Sequence, residues 1–422
     1  MSSPESKRVP SGENSLENRE RPLRGKVALI TGSSRDIGAG IALALAEEGV
    51  AVIGNYHDKT GRAEGVKQEI EGGGGRIEFV QSNITVASDR KKLQTALDGS
   101  FGGKLDILVL NTSGTAETAK QVCVEANNDL VSEFSSHINE GGKIILMQSV
   151  PGHFDPQLRD LGKMPDFYDP VAEAKYEGEQ LLRSRTAEFE EKGISFLIVC
   201  PSIVSDTTNI RMFDRESKKK YGVTATEKHA EISDMLGIPR AVTINDVAQK
   251  VAELLKRKDL ASGYVELFGN VLDARSILSQ WYGDNAIFVD TLEIVDERHG
   301  VGRLIVAKEY TKGHFKEKVG ISVLPGHIMI EAAAQTLGLT ALNGKIGDNS
   351  MPLFQGMGSV IFFKTAVPGE GLKINGEVTE PIKRGFVGNV NITNMKDERV
   401  AEITGLEAIV VSKGLARRLL SR

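Results

Sequence analysis

His314 and Glu331 flank the start of a helical segment in Gly313-His314-Phe315 and Leu324-Pro325-Gly326-His327-Ile328-Met329-Ile330-Glu331. A neutral imidazole is a base near neutral pH and a carboxylic acid can hand on a proton. The pair therefore has what elimination of water needs, one group to take a proton from carbon and one to protonate the leaving hydroxyl. Far upstream, Thr31-Gly32-Ser33-Ser34-Arg35-Asp36-Ile37-Gly38 follows a short apolar run and opens a helix. Such a turn presents backbone N–H groups and a helix N-terminus to a pyrophosphate. Two chemistries, well separated in sequence, thus share one polypeptide.

The elements that must position these residues follow from periodicity. Lys26 to Thr31 reads as an apolar strand, followed by the Gly/Ser turn and by Ile41 to Gly49, helical in composition with a closing glycine. Val50 to Asn55 is a second strand, a charged helix ends in the glycines at 72–75, and Arg76 to Gln81 is a third strand. Further strands at Ile107 to Leu110, Lys143 to Gln148 and Ser195 to Cys200 alternate with helices. This alternation predicts a doubly wound, Rossmann-type α/β arrangement with a parallel sheet. The helix Asp246 to Lys256 and the run Tyr264 to Phe268 close this half, so the boundary falls near 270–280.

Beyond it lie strand-like segments at Ala286 to Val295, Gly302 to Glu309, Gly358 to Thr365, Gly371 to Glu380, Gly385 to Asn394 and Glu402 to Val411. They surround one helical segment, Ile328 to Leu342, which predicts an α+β domain in which an antiparallel sheet wraps a helix. The small side chains of Ala332-Ala333-Ala334 let the sheet approach closely.

Composition narrows the classes of function. A chain of 422 residues is long for one core and fits two domains. With 40% hydrophobic and 26% charged residues it reads as soluble and globular, and it has no apolar run near the roughly 18 residues that span a membrane. A net charge of −5 argues against a nucleic-acid binder. Cys123 and Cys200 are too few for a disulfide framework or a thiolate metal site, so no metal and a reduced, cytoplasmic setting are expected. Residues 1–24 are polar and lack a signal-peptide core, and read as a disordered extension. Residues 413–422 form a basic tail with Arg417, Arg418 and Arg422 between leucines.

With Asn111-Thr112-Ser113-Gly114 after the fourth strand, Ser149 ending the fifth and Lys175 on the next helix, residues 25–270 resemble the short-chain dehydrogenase/reductases, particularly 3-oxoacyl-ACP reductases. The resemblance implies a nucleotide held by Gly32, Ser34, Arg35, Ile37, Gly38, Asn55, Asn83, Ile84, Asn111 and Lys175, with Ser149, Tyr168 and Lys175 as catalytic residues. Asn55-Tyr56-His57 stands where an NAD enzyme usually carries an acid, and Arg35 in the turn can pair with a 2′-phosphate, so NADP is the expected cofactor.

Three positions depart from the family. Asp36 occupies a glycine position, Cys123 aligns with the helix-borne asparagine, and Val171 stands where the usual tyrosine precedes the lysine by four. Tyr168, seven positions before Lys175, has the spacing of enoyl-thioester reductases of the same superfamily and is the candidate acid.

Residues 277–412, after a linker at 271–276, resemble the hotdog-fold 3-hydroxyacyl-ACP dehydratases through Phe288-Val289-Asp290, Gly313-His314-Phe315, Pro325-Gly326 with Glu331 and Gln335, and Phe363 to Glu370. The resemblance implies that His314 removes the proton beside the thioester carbonyl, Glu331 protonates the departing hydroxyl and the Gly326 N–H polarises the carbonyl. The retained Gly-His-Phe triplet separates the domain from hotdog thioesterases. In that fold the histidine and acid commonly come from two subunits, which implies a homodimer or higher homo-oligomer.

Together the resemblances imply reduction of a 3-oxoacyl thioester by NADPH and dehydration of the product to a trans-2-enoyl thioester, as in fatty acid or polyketide assembly. An acidic acyl carrier protein is the implied partner, met by the cations of Arg215 to Lys220 and of the C-terminal tail. Two other readings stay open: the first domain as an enoyl reductase, or as a catalytically silent nucleotide-binding or docking module.

Overall fold

The computed structural model describes residues 21–159, 168–312, 320, 322–344, 350–382, 385–412 and 415. The expectations placed on Gly313, His314 and Phe315, on residues 1–20 and on the arginines of the tail lie outside the described residues. The apolar Leu23 is buried with Leu45 and Val50. The folded unit therefore includes the end of the stretch expected as an extension.

Strands and helices alternate through the first unit. It opens with β1 (Val27–Ile30), α1 (Asp36–Glu47), β2 (Ala51–Tyr56), α2 (Thr60–Gly72), β3 (Arg76–Gln81), α3 (Ala87–Ser100) and β4 (Leu105–Leu110). A π-helical turn, Gln121–Ala126, leads into α4 (Asn127–Phe134), β5 (Ile138–Met147), α5 (Val150–His153), α6 (Asp155–Arg159), α7 (Asp169–Arg183), α8 (Thr186–Glu191) and β6 (Ser195–Val199). The unit closes with β7 (Ile203–Val204), α9 (Thr208–Tyr221), α10 (Ala225–Leu236), β8 (Ala241–Val242), α11 (Ile244–Lys256) and β9 (Tyr264–Glu266).

The main sheet is parallel in the order β3-β2-β1-β4-β5-β6-β9. Its central strands are covered on both faces; Ile30, Val52, Leu108, Val109, Ile144 and Leu197 are all inaccessible to solvent. Burial of both faces is why these strands are continuous apolar runs rather than alternating ones. The order reverses between β1 and β4, which opens a crevice at the carboxyl ends of the strands.

The second unit comprises β10 (Val271–Asp273), α12 (Ala274–Leu278), β11 (Thr291–Ile294), β12 (His299–Ile305), α13 (Gly326–Ala341), β13 (Ser350–Gly356), β14 (Ser359–Phe362), β15 (Gly371–Ile382), β16 (Gly385–Asn394) and β17 (Arg399–Ser412). Its sheet is antiparallel in the order β10-β11-β12-β15-β16-β17-β13, and β14 also pairs with β17. The sheet packs on α13, whose Ala332, Ala333 and Leu337 are fully buried. The close approach read from the alanine run is matched from the sheet side: a Cβ at Gly300 or Gly302 would stand 2.2 Å from the hydroxyl of Thr340 or Thr336. This is the hotdog arrangement of one central helix against an antiparallel sheet.

The elements differ from expectation in several places. The stretch 271–276, expected as a linker, contains β10, which pairs with β11, and the first turn of α12. The strand expected from Ala286 begins only at Thr291, after a 3₁₀ turn at Asp284–Ala286, and the strand expected to reach Glu309 ends at Ile305, before a second such turn at Lys308–Thr311. β13 is not legible in the sequence, because Pro352 and Gly356 interrupt any alternating pattern in it.

The end of α10 meets the second unit. Leu236 at the end of α10 accepts a hydrogen bond from the Thr291 hydroxyl at 2.7 Å, and Met235 packs against Gly371. Beside them, His153 of α5 lies buried between two carboxylates, with Nδ1 2.8 Å from Glu179 of α7 and Nε2 3.1 Å from Asp273 of β10. Arg183 adds a second cation on Glu179 at 2.8 Å and reaches the Ser276 hydroxyl of α12. Burial alone would push the imidazole down, but the two carboxylates outweigh it and raise its pKa to about 9. Glu179 and Asp273 are held at about 2 against their own burial, chiefly by His153.

The pH dependence follows in sign. A raised histidine pKa gives stability that is complete below about pH 6.5 and lost as the pH climbs through about 9. The loss is on the order of 3 kcal/mol. A falling thermal midpoint between pH 6.5 and 9 is expected, and Asp273→Asn should flatten that fall. An unchanged slope in the variant would show that this cluster does not hold the units together.

Candidate functional site

The crevice at the carboxyl ends of β1, β4 and β5 is a cavity of about 940 Å³. Gly32, Ser34, Arg35, Ile37, Gly38, Asn55, Asn83, Ile84, Asn111, Ser149, Tyr168 and Lys175 all line it. The structure thus brings together the residues of the first unit expected to hold the nucleotide and to act on the substrate.

The turn is built on backbone geometry. Gly32 has φ +66°, and a Cβ on Gly38 would stand 2.3 Å from the Gly32 carbonyl oxygen and 2.6 Å from the Asn111 amide. Helix α1 therefore seats directly on the turn. Asp36, in a glycine position, has φ +48° and accepts hydrogen bonds at 3.0 Å from the Thr208 N–H and hydroxyl. Its carboxylate ties the turn to the start of α9, and it also pairs with Arg35 at 3.2 Å. Arg35 remains partly exposed at the cavity and donates to Asn209 at 3.3 Å.

Some expected nucleotide contacts are engaged with the protein itself. Asn55 is buried, accepts from the Gly32 N–H and donates to the Ser82 carbonyl and hydroxyl. Asn111 donates to the carbonyls of Thr31 and Gly32, which locks β4 to the turn. The Asn83 side chain accepts from Thr85, and Ile84 accepts at its carbonyl from buried Arg90. These four residues shape the cavity wall by holding its backbone.

At the other end, Tyr168 caps α7 and donates its hydroxyl to Ser149 Oγ at 3.0 Å. Ser149 caps α5 and accepts the Gly152 N–H at 3.2 Å. Lys175, two turns along α7, donates to the Met147 carbonyl at 2.9 Å. Gln148 accepts from the Ser149 N–H and donates to the Lys175 carbonyl and to Glu179, so the site abuts the interface cluster. Val171 is buried against Cys123, Ala119 and Ala174, as a residue of a packed helix pair. A phenol touching a serine hydroxyl above a lysine can donate a proton to a carbonyl oxygen placed between them.

Residues of α9 and α10 that sequence reasoning does not select, including Phe213 and His229, close the cavity. Phe213 meets the Tyr168 ring edge-on at 6.0 Å. The sequence holds one signal for His229, which shares a helical face with the apolar Ala225, Ile232, Met235 and Leu236.

In the second unit, Gly326 opens α13, and Glu331 lies half-buried on its next turn. Burial raises the Glu331 pKa, opposed by a hydrogen bond from Gln335 at 3.1 Å. Gln335 also accepts from the Phe288 N–H and donates to the Ala286 carbonyl. A carboxyl held toward its protonated form is suited to act as an acid. Gly326 leaves room for Phe362, whose ring would stand 2.7 Å from a Cβ there. Asp290 has a structural role instead, being fully buried, paired with Arg275 at 3.1 Å and accepting the Ile305 N–H. His327 is exposed one turn before Glu331.

One candidate metal cluster appears among the described residues, His153, Glu179 and Cys200. Both nitrogens of His153 already face carboxylates. Among the described residues, no helix is long and apolar enough to cross a membrane.

Residues 26–160 match the short chain dehydrogenase family, and residues 299–404 match the FabA-like domain. A hydroxynaphthalene reductase-like protein Arp2 of Metarhizium robertsii is 28% identical over 254 residues, 57% of this chain and 91% of that protein. Its counterpart in Metarhizium acridum is 37% identical over 149 residues, 32% of this chain and 55% of the relative. An uncharacterised oxidoreductase of Methylorubrum extorquens is 38% identical over 141 residues, 30% of this chain and 56% of the relative. The last two matches thus span just over half of the relative. Among solved structures, a dehydrogenase/reductase from Sinorhizobium meliloti is 25% identical, covering 59% of this chain and 95% of that one with a TM-score of 0.47.

The turn can be tested directly. Gly38→Ala is expected to cost roughly 1–3 kcal/mol of stability, read by denaturant unfolding. It should weaken binding of a dinucleotide probe at least about tenfold, since about 1.4 kcal/mol corresponds to that factor, read by fluorescence titration. Binding as tight as in the unaltered protein would separate the turn from the nucleotide.

Proposed function

We infer, from the joining of a short chain dehydrogenase domain to a FabA-like domain, an enzyme that carries out two successive steps on an acyl thioester. The first reduces a 3-oxoacyl thioester with NADPH, and the second dehydrates the 3-hydroxy product to a trans-2-enoyl thioester. The observation that carries the reading is the 3.0 Å contact of Tyr168 with Ser149 in the cavity that the glycine turn also lines.

The residues present fit the dinucleotide: Gly32 and Gly38 let α1 seat on the turn that lines the cavity, and Arg35 stands exposed there with charge for a 2′-phosphate. When bound, NADPH supplies the hydride. Ser149 Oγ orients the substrate carbonyl, and Tyr168 Oη donates the proton that its oxygen takes up. Lys175, on the same helix two turns on, lines the same cavity and anchors α7 to the end of β5 through the Met147 carbonyl.

In the second step Glu331 gives its proton to the leaving hydroxyl, the Gly326 N–H polarises the thioester carbonyl, and His314 takes the proton from the adjacent carbon. A second copy of the chain is part of this reading. Phe354, Met357, Ile361, Phe362, Phe363 and Val367 form an exposed apolar band running up to Gly326, a surface suited to burial against another copy. An acidic acyl carrier protein fits the exposed cations of α9, Arg211, Arg215, Lys218 and Lys219, on the helix that closes the first cavity.

The spacing of Tyr168 and Lys175, with Val171 packed away, favours a second reading in which the first domain reduces a 2-enoyl thioester. Product masses decide between them. With NADPH and a carrier-bound 3-oxoacyl substrate, the expected product is the 2-enoyl thioester. Tyr168→Phe should slow reduction about 100-fold or more and leave dehydration intact, and Glu331→Gln should stop the sequence at the 3-hydroxy product. Consumption of NADPH only with a 2-enoyl substrate would select the second reading, and no consumption with either would leave the first domain a docking module.

A further inference from the structure

Three residues lining the first cavity carry buried polar atoms that have no hydrogen-bond partner among the described residues: Thr112 Oγ1, Ser202 Oγ and His229 Nε2. Thr112 and Ser202 stand at the strand ends. His229 stands opposite, on α10, and is only 5% exposed. Leaving a buried imidazole nitrogen unpaired is unfavourable, so its place in a cavity wall calls for a partner that arrives with the ligand. Burial holds the His229 pKa down at about 4. The ring is therefore neutral near pH 7, with one N–H to donate and no net charge to desolvate.

Its position is fixed from behind. Helix α10 begins with a full capping box, Thr224 with Glu227, and ends with Gly237 in the left-handed conformation. Its last residues are pinned on the second unit through the Leu236 carbonyl and Met235. The neighbouring α9 touches Tyr168 through Phe213. The helix that carries the imidazole is thus anchored at both ends, and the ring lines the same cavity as Tyr168.

A 3-oxoacyl thioester has two carbonyl oxygens, and Tyr168 with Ser149 accounts for the one that is reduced. We propose that His229 is a specificity-determining residue that donates a hydrogen bond from its side chain to the other, the thioester carbonyl oxygen. This rests on the reading of the cavity as a 3-oxoacyl reductase site. A group built to hydrogen-bond a substrate oxygen discriminates against an analogue that lacks it, because the buried donor is then left unpaired.

The test compares kcat/KM for NADPH oxidation by the full chain with two probes, acetoacetyl-pantetheine and the matched ketone in which a methylene replaces the thioester carbonyl. The unaltered protein should prefer the thioester. In His229→Phe the ratio between the two should fall about 10- to 100-fold, and His229→Gln, which keeps an N–H donor, should restore most of it. An undiminished ratio in His229→Phe with active enzyme overturns the assignment alone. Equal loss on both probes marks His229 as structural and overturns it too. Failure of the unaltered protein to oxidise NADPH with either probe overturns this assignment together with the reductase reading.

Discussion

Two carboxylates and an imidazole taken out of water are tolerated only when each answers another, because breaking such a set leaves an uncompensated buried charge. Here the set spans the two units: His153 comes from a short helix beside the first site, Glu179 from α7, and Asp273 from the first strand of the second sheet. Gln148 extends the set to the backbone of Ser149 and Lys175. The arrangement of Ser149, Tyr168 and Lys175 is therefore continuous, through hydrogen bonds, with the edge of the other domain. Helix α10 also spans both units, lining the cavity with one face and resting on the second unit at its end.

Much of the first unit is legible directly in residue order. Arg76 to Gln81 has the bounds expected of it, the boundaries of β1, β2 and β6 shift by no more than one residue, and in the second unit Gly385 to Asn394 also has its expected bounds. β1, β2 and β6 are strands buried in the sheet, where burial imposes an apolar pattern strong enough to see. The glycines at 32 and 38 are legible because only a residue without a side chain fits there. So is the pairing of a parallel sheet with a helix-wrapping antiparallel one, since alternation with helices contrasts with a run of strands.

What sequence reasoning passes over depends on contacts distant in the chain. Asn55 reads as a ligand to nucleotide, yet its amide is spent on Gly32 and Ser82, 23 and 27 residues away along the chain. Val171 reads as a lost catalytic group and is a core residue packed on Cys123. His153, Glu179 and Asp273 lie in three separate elements and carry no local pattern at all. His229 is hidden by its apolar neighbours on α10, whose composition reads as an ordinary core helix. His314 lies outside the described residues, so the structure describes the acid of the proposed dehydration and the helix start but not its base.

The pairing of β10 with β11 has a consequence for how such a protein can be recombined. A crossover point chosen at residue 270 falls at the first strand of the second sheet, and everything that follows would leave behind Met235, Leu236 and His153, the partner of Asp273. A grafted second domain would have to bring its own match for that apolar helix end and for that buried positive charge. The two halves match separate families but share a seam that would have to be transferred as one piece.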